Sequence, residues 1–300
     1  MSSPDSPNEY WHEQVALRTK SNISDLHGSI ALLGYACDEG VKRNNGRQGA
    51  VDGPNAIREQ LGKLSWHSKK KVSDYGDVLC YLNNLEVTQK LYSDIVQEII
   101  ESGQLTIGLG GGHDLAYGHF CGIHRAIKNG MKSKIGILNF DAHFDLRPPL
   151  EGPNSGTPFY QILKEFKDDV KYLALGIQRP SNPLSLYKIA SEFNVDFIPI
   201  EDCKSINISN VCGIIDDCFK QCESIYISID LDGFSSSNAP GVSAPGPFGF
   251  STKFFQLIFE YLLETKKVIA IDVVELNPIY DVDSITAKLA SQIIDLAVSR

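Results

Sequence analysis

The chain has 300 residues, of which 42% are hydrophobic, and a formal net charge of -9 at pH 7. That length and apolar content allow one large globular domain or two smaller ones. The acidic balance, with no basic run to neutralise phosphates, excludes nucleic acid as a main partner and disfavours anionic membrane surfaces.

Residues 1–28 are polar, contain proline, and lack the charged-then-apolar pattern of a signal peptide, so they read as an N-terminal extension. No apolar run approaches the roughly 18–20 residues needed to cross a bilayer. Seven cysteines are scattered without a CxxC pair, which points to a reduced, cytoplasmic protein. In that setting the sequons at Asn22 and Asn207 carry no meaning. From residue 29 onward apolar runs of strand character alternate with helix-like stretches. The strands fall at 29–35, 72–75, 104–109, 134–140, 171–175, 195–200, 224–229 and 267–274. The helices fall at about 53–64, 85–101, 115–129, 157–166, 184–193, 210–222, 252–264 and 284–299. Eight strands, nearly all separated by a helix, predict a single three-layer α/β domain over 29–300 with a central, mainly parallel sheet. The runs are short, rich in Ile, Leu and Val, and bounded by turn residues, as strands buried on both faces are.

Ligands of such sheets bind at the carboxyl ends of strands. There the runs end in Gly110-Gly111-Gly112-His113-Asp114, Asp141-Ala142-His143-Phe144-Asp145, Ser228-Ile229-Asp230-Leu231-Asp232 and, after the last, Glu275. Alternation with period two sends Asp141, His143 and Asp145 to one face, and Asp230 and Asp232 likewise. Asp114 reads equally well as a cap of the following helix. Carboxylate and imidazole together suit Mn, Zn or Fe, and this many anionic ligands call for more than one ion. Two divalent ions about 3.5–4 Å apart share a bridging water and make it hydroxide at neutral pH, so hydrolysis is the default chemistry. Glu275 beside such a centre is placed to hold a cationic amidinium or guanidinium. Three loops rich in Gly, Pro and Asn, at 38–54, 147–158 and 233–249, follow strands at the same sheet edge and should surround the site.

These motifs, with Gly49 to Arg58 (GAVDGPNAIR) and Asp272 to Pro278 (DVVELNP), resemble the ureohydrolase family of arginases and agmatinases across roughly residues 29–295. The resemblance implies an arginase-like fold with an eight-stranded sheet and two Mn2+ ions. It implies that His113, Asp141, Asp145 and Asp230 hold one ion and Asp141, His143, Asp230 and Asp232 the other. Asp145 would also accept a hydrogen bond from the bridging hydroxide. Trimers or hexamers are expected from the family. Two departures select a branch: Arg147 stands where arginases place Asn, and Arg179 where they carry an acidic motif. With Arg47 in the glycine-rich loop, three arginines suggest a substrate bearing carboxylates, which guanidinium grips as a fork. The stretches 34–41, 154–158 (with Asn154 and Ser155) and 239–245 are similar to the formiminoglutamase branch. The expected reaction is hydrolysis of N-formimino-L-glutamate to L-glutamate and formamide, in histidine degradation. Ser155 replaces a His that arginases use as proton shuttle. The alternatives are another ureohydrolase of arginase, agmatinase or guanidinobutyrase type, a deacetylase-like hydrolase with one zinc, or a non-catalytic metal-binding scaffold.

Overall fold

The structure is a computed structural model describing residues 9–18, 28–128 and 133–300. Among these residues nine strands form one sheet: β1 (Ala16–Leu17), β2 (Ile30–Ala36), β3 (Val72–Leu79), β4 (Leu105–Leu109), β5 (Lys134–Phe140), β6 (Val170–Ile177), β7 (Asp196–Pro199), β8 (Cys222–Asp230) and β9 (Val268–Val274). They lie in the order β1-β3-β2-β4-β9-β8-β5-β6-β7, and every neighbouring pair is parallel. The eight apolar runs are β2 to β9. The added strand, β1, pairs Ala16 with Ser73 and Leu17 with Asp74 at the sheet edge. Two residues offer no periodicity, so the expected count of eight becomes nine.

Among the described residues ten α-helices accompany the sheet: α1 (Trp11–Gln14), α2 (Glu39–Arg43), α3 (Gly53–Leu61), α4 (Leu85–Glu101), α5 (Leu115–Ile127), α6 (Pro158–Glu165), α7 (Leu184–Glu192), α8 (Ile208–Phe219), α9 (Thr252–Glu264) and α10 (Ile285–Ser299). The eight expected helices are α3 to α10. Asn22 and the last residue of the helix expected over 115–129 lie outside the described residues. Alternate residues of one strand feed two cores. Ile30 and Leu32 of β2 join Ile258 of α9 and Ile293 of α10, whereas Ala31 and Leu33 join Val96 of α4 and Phe120 of α5. That alternation is the strand period at work, and it yields three layers, helix on sheet on helix.

The strand order places the site. The four strands that end in acidic or imidazole residues are β4, β9, β8 and β5, and they are consecutive in the sheet. Neighbouring strands lie about 4.8 Å apart, so four carboxyl ends fall within reach of one small molecule.

Residues 9–18 belong to the packed body. Trp11 is 1% exposed and meets Trp66 edge-to-face with centroids 4.9 Å apart. Its indole N–H donates to Asp295 Oδ1 of α10 at 2.7 Å, and its backbone N–H donates to Leu64 at 3.0 Å. Truncating so large a buried ring costs about 3–5 kcal/mol. Trp11→Ala should therefore lower the urea midpoint markedly in an unfolding titration. An unchanged midpoint would show that this segment unfolds apart from the sheet.

Candidate metal centre and substrate cavity

The ends of the four central strands bring the charged side chains to one place. His113 is buried, and its Nδ1 lies 3.3 Å from Asp141 Oδ2, 2.9 Å from Asp145 Oδ2 and 3.0 Å from Asp230 Oδ2. His143 Nδ1 lies 3.4 Å from Asp141 Oδ1 and 3.2 Å from Asp232 Oδ2. The atoms form two groups, each with members within 4.8 Å of one another: His113, Asp141, Asp145 and Asp230, then Asp141, His143 and Asp232. Asp141 is common to both. Asp230, expected in both, falls in the first group; its Oδ1 accepts the backbone N–H of Asp232 at 2.8 Å while Oδ2 faces His113.

This cluster fits a pair of divalent cations. His113 Nδ1 faces three carboxylate oxygens without a hydrogen bond, and Asp232 Oδ1 is likewise buried without a partner. Buried anions and lone pairs facing one another are costly unless positive charge lies between them. Imidazole nitrogen with carboxylate oxygen is the donor set of Mn, Fe and Zn, and a shared carboxylate suits two ions.

In the metal-free chain, protons take over that task. Burial, then the Asp232 and Asp141 carboxylates, push Asp230 well above the carboxylate range. Burial also raises Asp145 and Asp232, with Asp141 adding to both and His143 opposing at Asp232. Burial opposes charge on His113, but Asp141, Asp145 and Asp230 outweigh it and raise the imidazole; Asp232 and Asp141 do the same for His143. Asp141 moves down, because the two imidazoles overcome its burial.

Glu275 follows β9 and lines the cavity beside the cluster. Its Oε1 accepts the backbone N–H of His113 at 2.8 Å. Burial, resisted by that bond and reinforced by Asp232 and Asp145, pushes its carboxyl up to about 8. Glu275 and Asp145 both have left-handed backbones, with φ of 68° and 48°. A side chain with a Cβ pays roughly 1–2 kcal/mol for that conformation. At Glu275 it is held by two bonds to the loop after β4, the second from its own N–H to the Gly111 carbonyl at 2.9 Å. The same loop runs against the end of β2, where a Cβ on Gly111 would overlap the Cys37 carbonyl. Only glycine allows that approach.

The cavity over the cluster is about 280 Å³, and all three long loops contribute walls: Asn44 and Arg47, Arg147 and Ser155, Ser243 and Ala244. Arg147 reaches it with one guanidinium nitrogen on Asn44 Oδ1 at 2.8 Å. Arg47 stacks 3.9 Å above the Tyr280 ring and donates to the Val242 and Ser243 carbonyls, which ties two loops together. Neither arginine meets a carboxylate among the described residues. Arg179 is exposed and not on the wall; Ser181 and Asn182 of its turn are there instead. Asn154 is also off the wall, its Oδ1 accepting the Gly156 N–H at 2.9 Å to shape the turn. Ser155 accepts from Asn44 Nδ2 at 3.0 Å, so Asn44 positions both Arg147 and Ser155. Nothing in the sequence distinguishes Asn44 from its loop neighbours. Asp114 does not cap α5; it is buried, accepts the Tyr35 hydroxyl at 2.7 Å, and is pushed by burial to about 6.

Comparison with known proteins agrees with this geometry. The arginase family profile matches residues 28–298. A formimidoylglutamase of Geobacillus sp. (strain WCH70) is 37% identical over 283 residues, covering 93% of this chain and 86% of its own. The crystal structure of formimidoylglutamase from Bacillus subtilis superposes with a TM-score of 0.88 at 23% identity, covering 99% of this chain and 93% of that one. A Trypanosoma cruzi formiminoglutamase crystallised with Mn2+ superposes with a TM-score of 0.79 at 25% identity, covering 92% of this chain and 93% of that one.

The proton logic predicts how the metal-free protein responds to pH. Acids raised by folding, Glu275 to about 8 and Asp114 to about 6, favour the fold while protonated and oppose it once ionised. The raised histidines act with the same sign, losing their contribution as pH climbs above the ordinary imidazole value. Asp141 acts oppositely, but only below the carboxylate range. Chelator-treated protein should therefore melt at a lower temperature at pH 8 than at pH 5.5, by roughly 5 °C or more. Adding Mn2+ should raise the melting point more at pH 8. Melting curves that coincide at the two pH values would contradict the assignment.

Proposed function

The chain belongs to the arginase family, and we propose that it is a formimidoylglutamase, cleaving N-formimino-L-glutamate to L-glutamate and formamide. The carrying observation is a single cavity in which a cluster fitted to two divalent cations lies among arginines that meet no carboxylate among the described residues. Relatives at 36–39% identity carry that name and support the reading. The substrate has a cationic amidine at one end and two carboxylates at the other, matching an acidic interior and an arginine rim.

His113, Asp141, Asp145, Asp230, Asp232 and His143 would hold two Mn2+ ions, which when bound supply a hydroxide-strength nucleophile and polarise the amidine carbon. Glu275 would grip the amidinium, since a cation at that position favours its charged form and draws its pKa back down. Asp145, with Oδ2 on the cluster and its side chain on the cavity wall, would take the nucleophile's proton and pass it to the departing glutamate nitrogen. Arg147, and Arg47 with the nitrogen not spent on loop carbonyls, would hold the carboxylates. Arg179 and Asn154 would act only through the turns they shape. Ser155 would orient substrate; its hydroxyl is too weak an acid for the shuttle role of the histidine it replaces. No helix among the described residues is long and apolar enough to cross a membrane. Family resemblance supports a cytoplasmic homo-oligomer, trimer or hexamer, serving histidine breakdown.

The test is product release from Mn2+-loaded protein offered formiminoglutamate, arginine and agmatine in parallel. Glutamate from the first and no urea from the others is expected; urea from arginine would replace the substrate and discard the arginine argument. Arg147→Ala should raise KM for formiminoglutamate about tenfold or more, with a smaller change in kcat, as loss of a hydrogen bond to a charged group requires. Asp230→Ala should lose metal and turnover together.

A further inference from the structure

The far ring nitrogen of His113 opens onto a chain of buried hydrogen bonds. His113 Nε2 lies 3.0 Å from Ser228 Oγ, and the Ser228 hydroxyl donates to Asp272 Oδ1 at 2.6 Å. The Tyr226 hydroxyl donates to Asp272 Oδ2, and His119 Nδ1 lies 3.1 Å from the same oxygen. Thr106 Oγ1 meets His119 Nε2 at 2.8 Å. All six side chains are at most 1% exposed. Tyr226 and Ser228 share a face of β8 with Asp230, and Asp272 pairs with Ser228 from β9. Gly108 of β4 makes the room: a Cβ there would come within 3.0 Å of Asp272 Cβ and 2.7 Å of the Tyr92 hydroxyl.

The protons in this chain have a forced direction. Both Asp272 oxygens accept, Oδ1 from the Ser228 hydroxyl and Oδ2 from the Tyr226 hydroxyl. Ser228 has one proton and spends it on Asp272, so toward His113 it can only accept. In the neutral imidazole that binds a cation, the His113 proton must then sit on Nε2, and the Nδ1 lone pair faces Asp141, Asp145 and Asp230. His119, with Nδ1–H on Asp272, receives the Thr106 hydroxyl on Nε2, so that end is satisfied too. We propose that Asp272, held by Tyr226 and His119, is a positioning residue that acts through Ser228 to fix the His113 tautomer competent to bind a cation. The inference rests on the metal-centre reading. It adds that the chemical state of a ligand is set two residues away, on a different strand.

Asp272→Asn tests the direction of the chain. The amide would donate to Ser228 Oγ, turn the serine hydroxyl toward His113 Nε2, and force the imidazole proton onto Nδ1, against the cation. Mn2+ titration should find the ion of the His113 group held 10–100-fold more weakly, with the His143 group little changed. Ser228→Ala should cost less, although it removes the direct contact. The double variant Ser228→Ala with Asp272→Asn should recover to the level of Ser228→Ala alone, since no hydroxyl remains to reverse the tautomer. Losses that add in the double variant, or an Asp272→Asn chain that keeps both ions at wild-type affinity, would overturn the proposal. Should Asp272→Asn fail to fold, 15N-histidine NMR of the wild-type chain loaded with Zn2+ decides. A proton on His113 Nε2 is expected, and one on Nδ1 overturns the proposal. A wild-type chain that binds no divalent ion at all would instead overturn the metal centre itself.

Discussion

Five carboxylates and two imidazoles share the ends of four adjacent strands, and that crowding governs the rest of the molecule. Buried carboxylates whose oxygens lie within 4.8 Å of one another cannot all remain ionised. Either cations enter or protons stay. The cavity walls, the left-handed backbones at Asp145 and Glu275, and Gly111 pressed against the end of β2 all hold this group where repulsion would scatter it. The fold contributes rigidity here: the four strands are buried on both faces, so their ends cannot drift without disturbing two cores.

Rigid and variable parts are divided cleanly. Groups fitted to bind cations leave strand ends, whereas the arginines of the cavity wall ride on loops. A loop can be rebuilt without moving a strand, so recognition can change while the chemistry persists. Arg47 shows how such a loop is kept in order: its guanidinium is tied to the 242–243 carbonyls and to Tyr280, so it braces the wall as well as charging it.

Much of this was legible in the sequence. Strands buried on both faces are written as apolar runs, and β2 to β9 were readable for that reason. The ligand-type residues stood out because charge at the end of such a run does nothing for packing and so points to chemistry. Residues 16 and 17 make a strand only because an edge happens to lie beside them, which no local pattern records. Ser228 and Asp272 escaped because isolated polar residues inside apolar runs look like lapses in a strand; their meaning lies in which strands are neighbours. Among the arginines, Arg147 reaches the cavity and Arg179 does not, because loop direction is set by turns such as the one that Asn154 shapes. Asp114 followed the pattern of a helix cap and was instead drawn to Tyr35 from β2.

The positive φ angles at Asp145 and Glu275 set selection for stability against selection for turnover. Glycine at either position would relax the backbone and remove a buried carboxylate at once, so a metal-free chain gains from it twice. Evolution under heat alone, with no demand for activity, would erase these two positions first, and a chain so selected would keep its sheet and lose its chemistry. In this chain both acids hold that conformation, so this end of the sheet is built at a cost in stability.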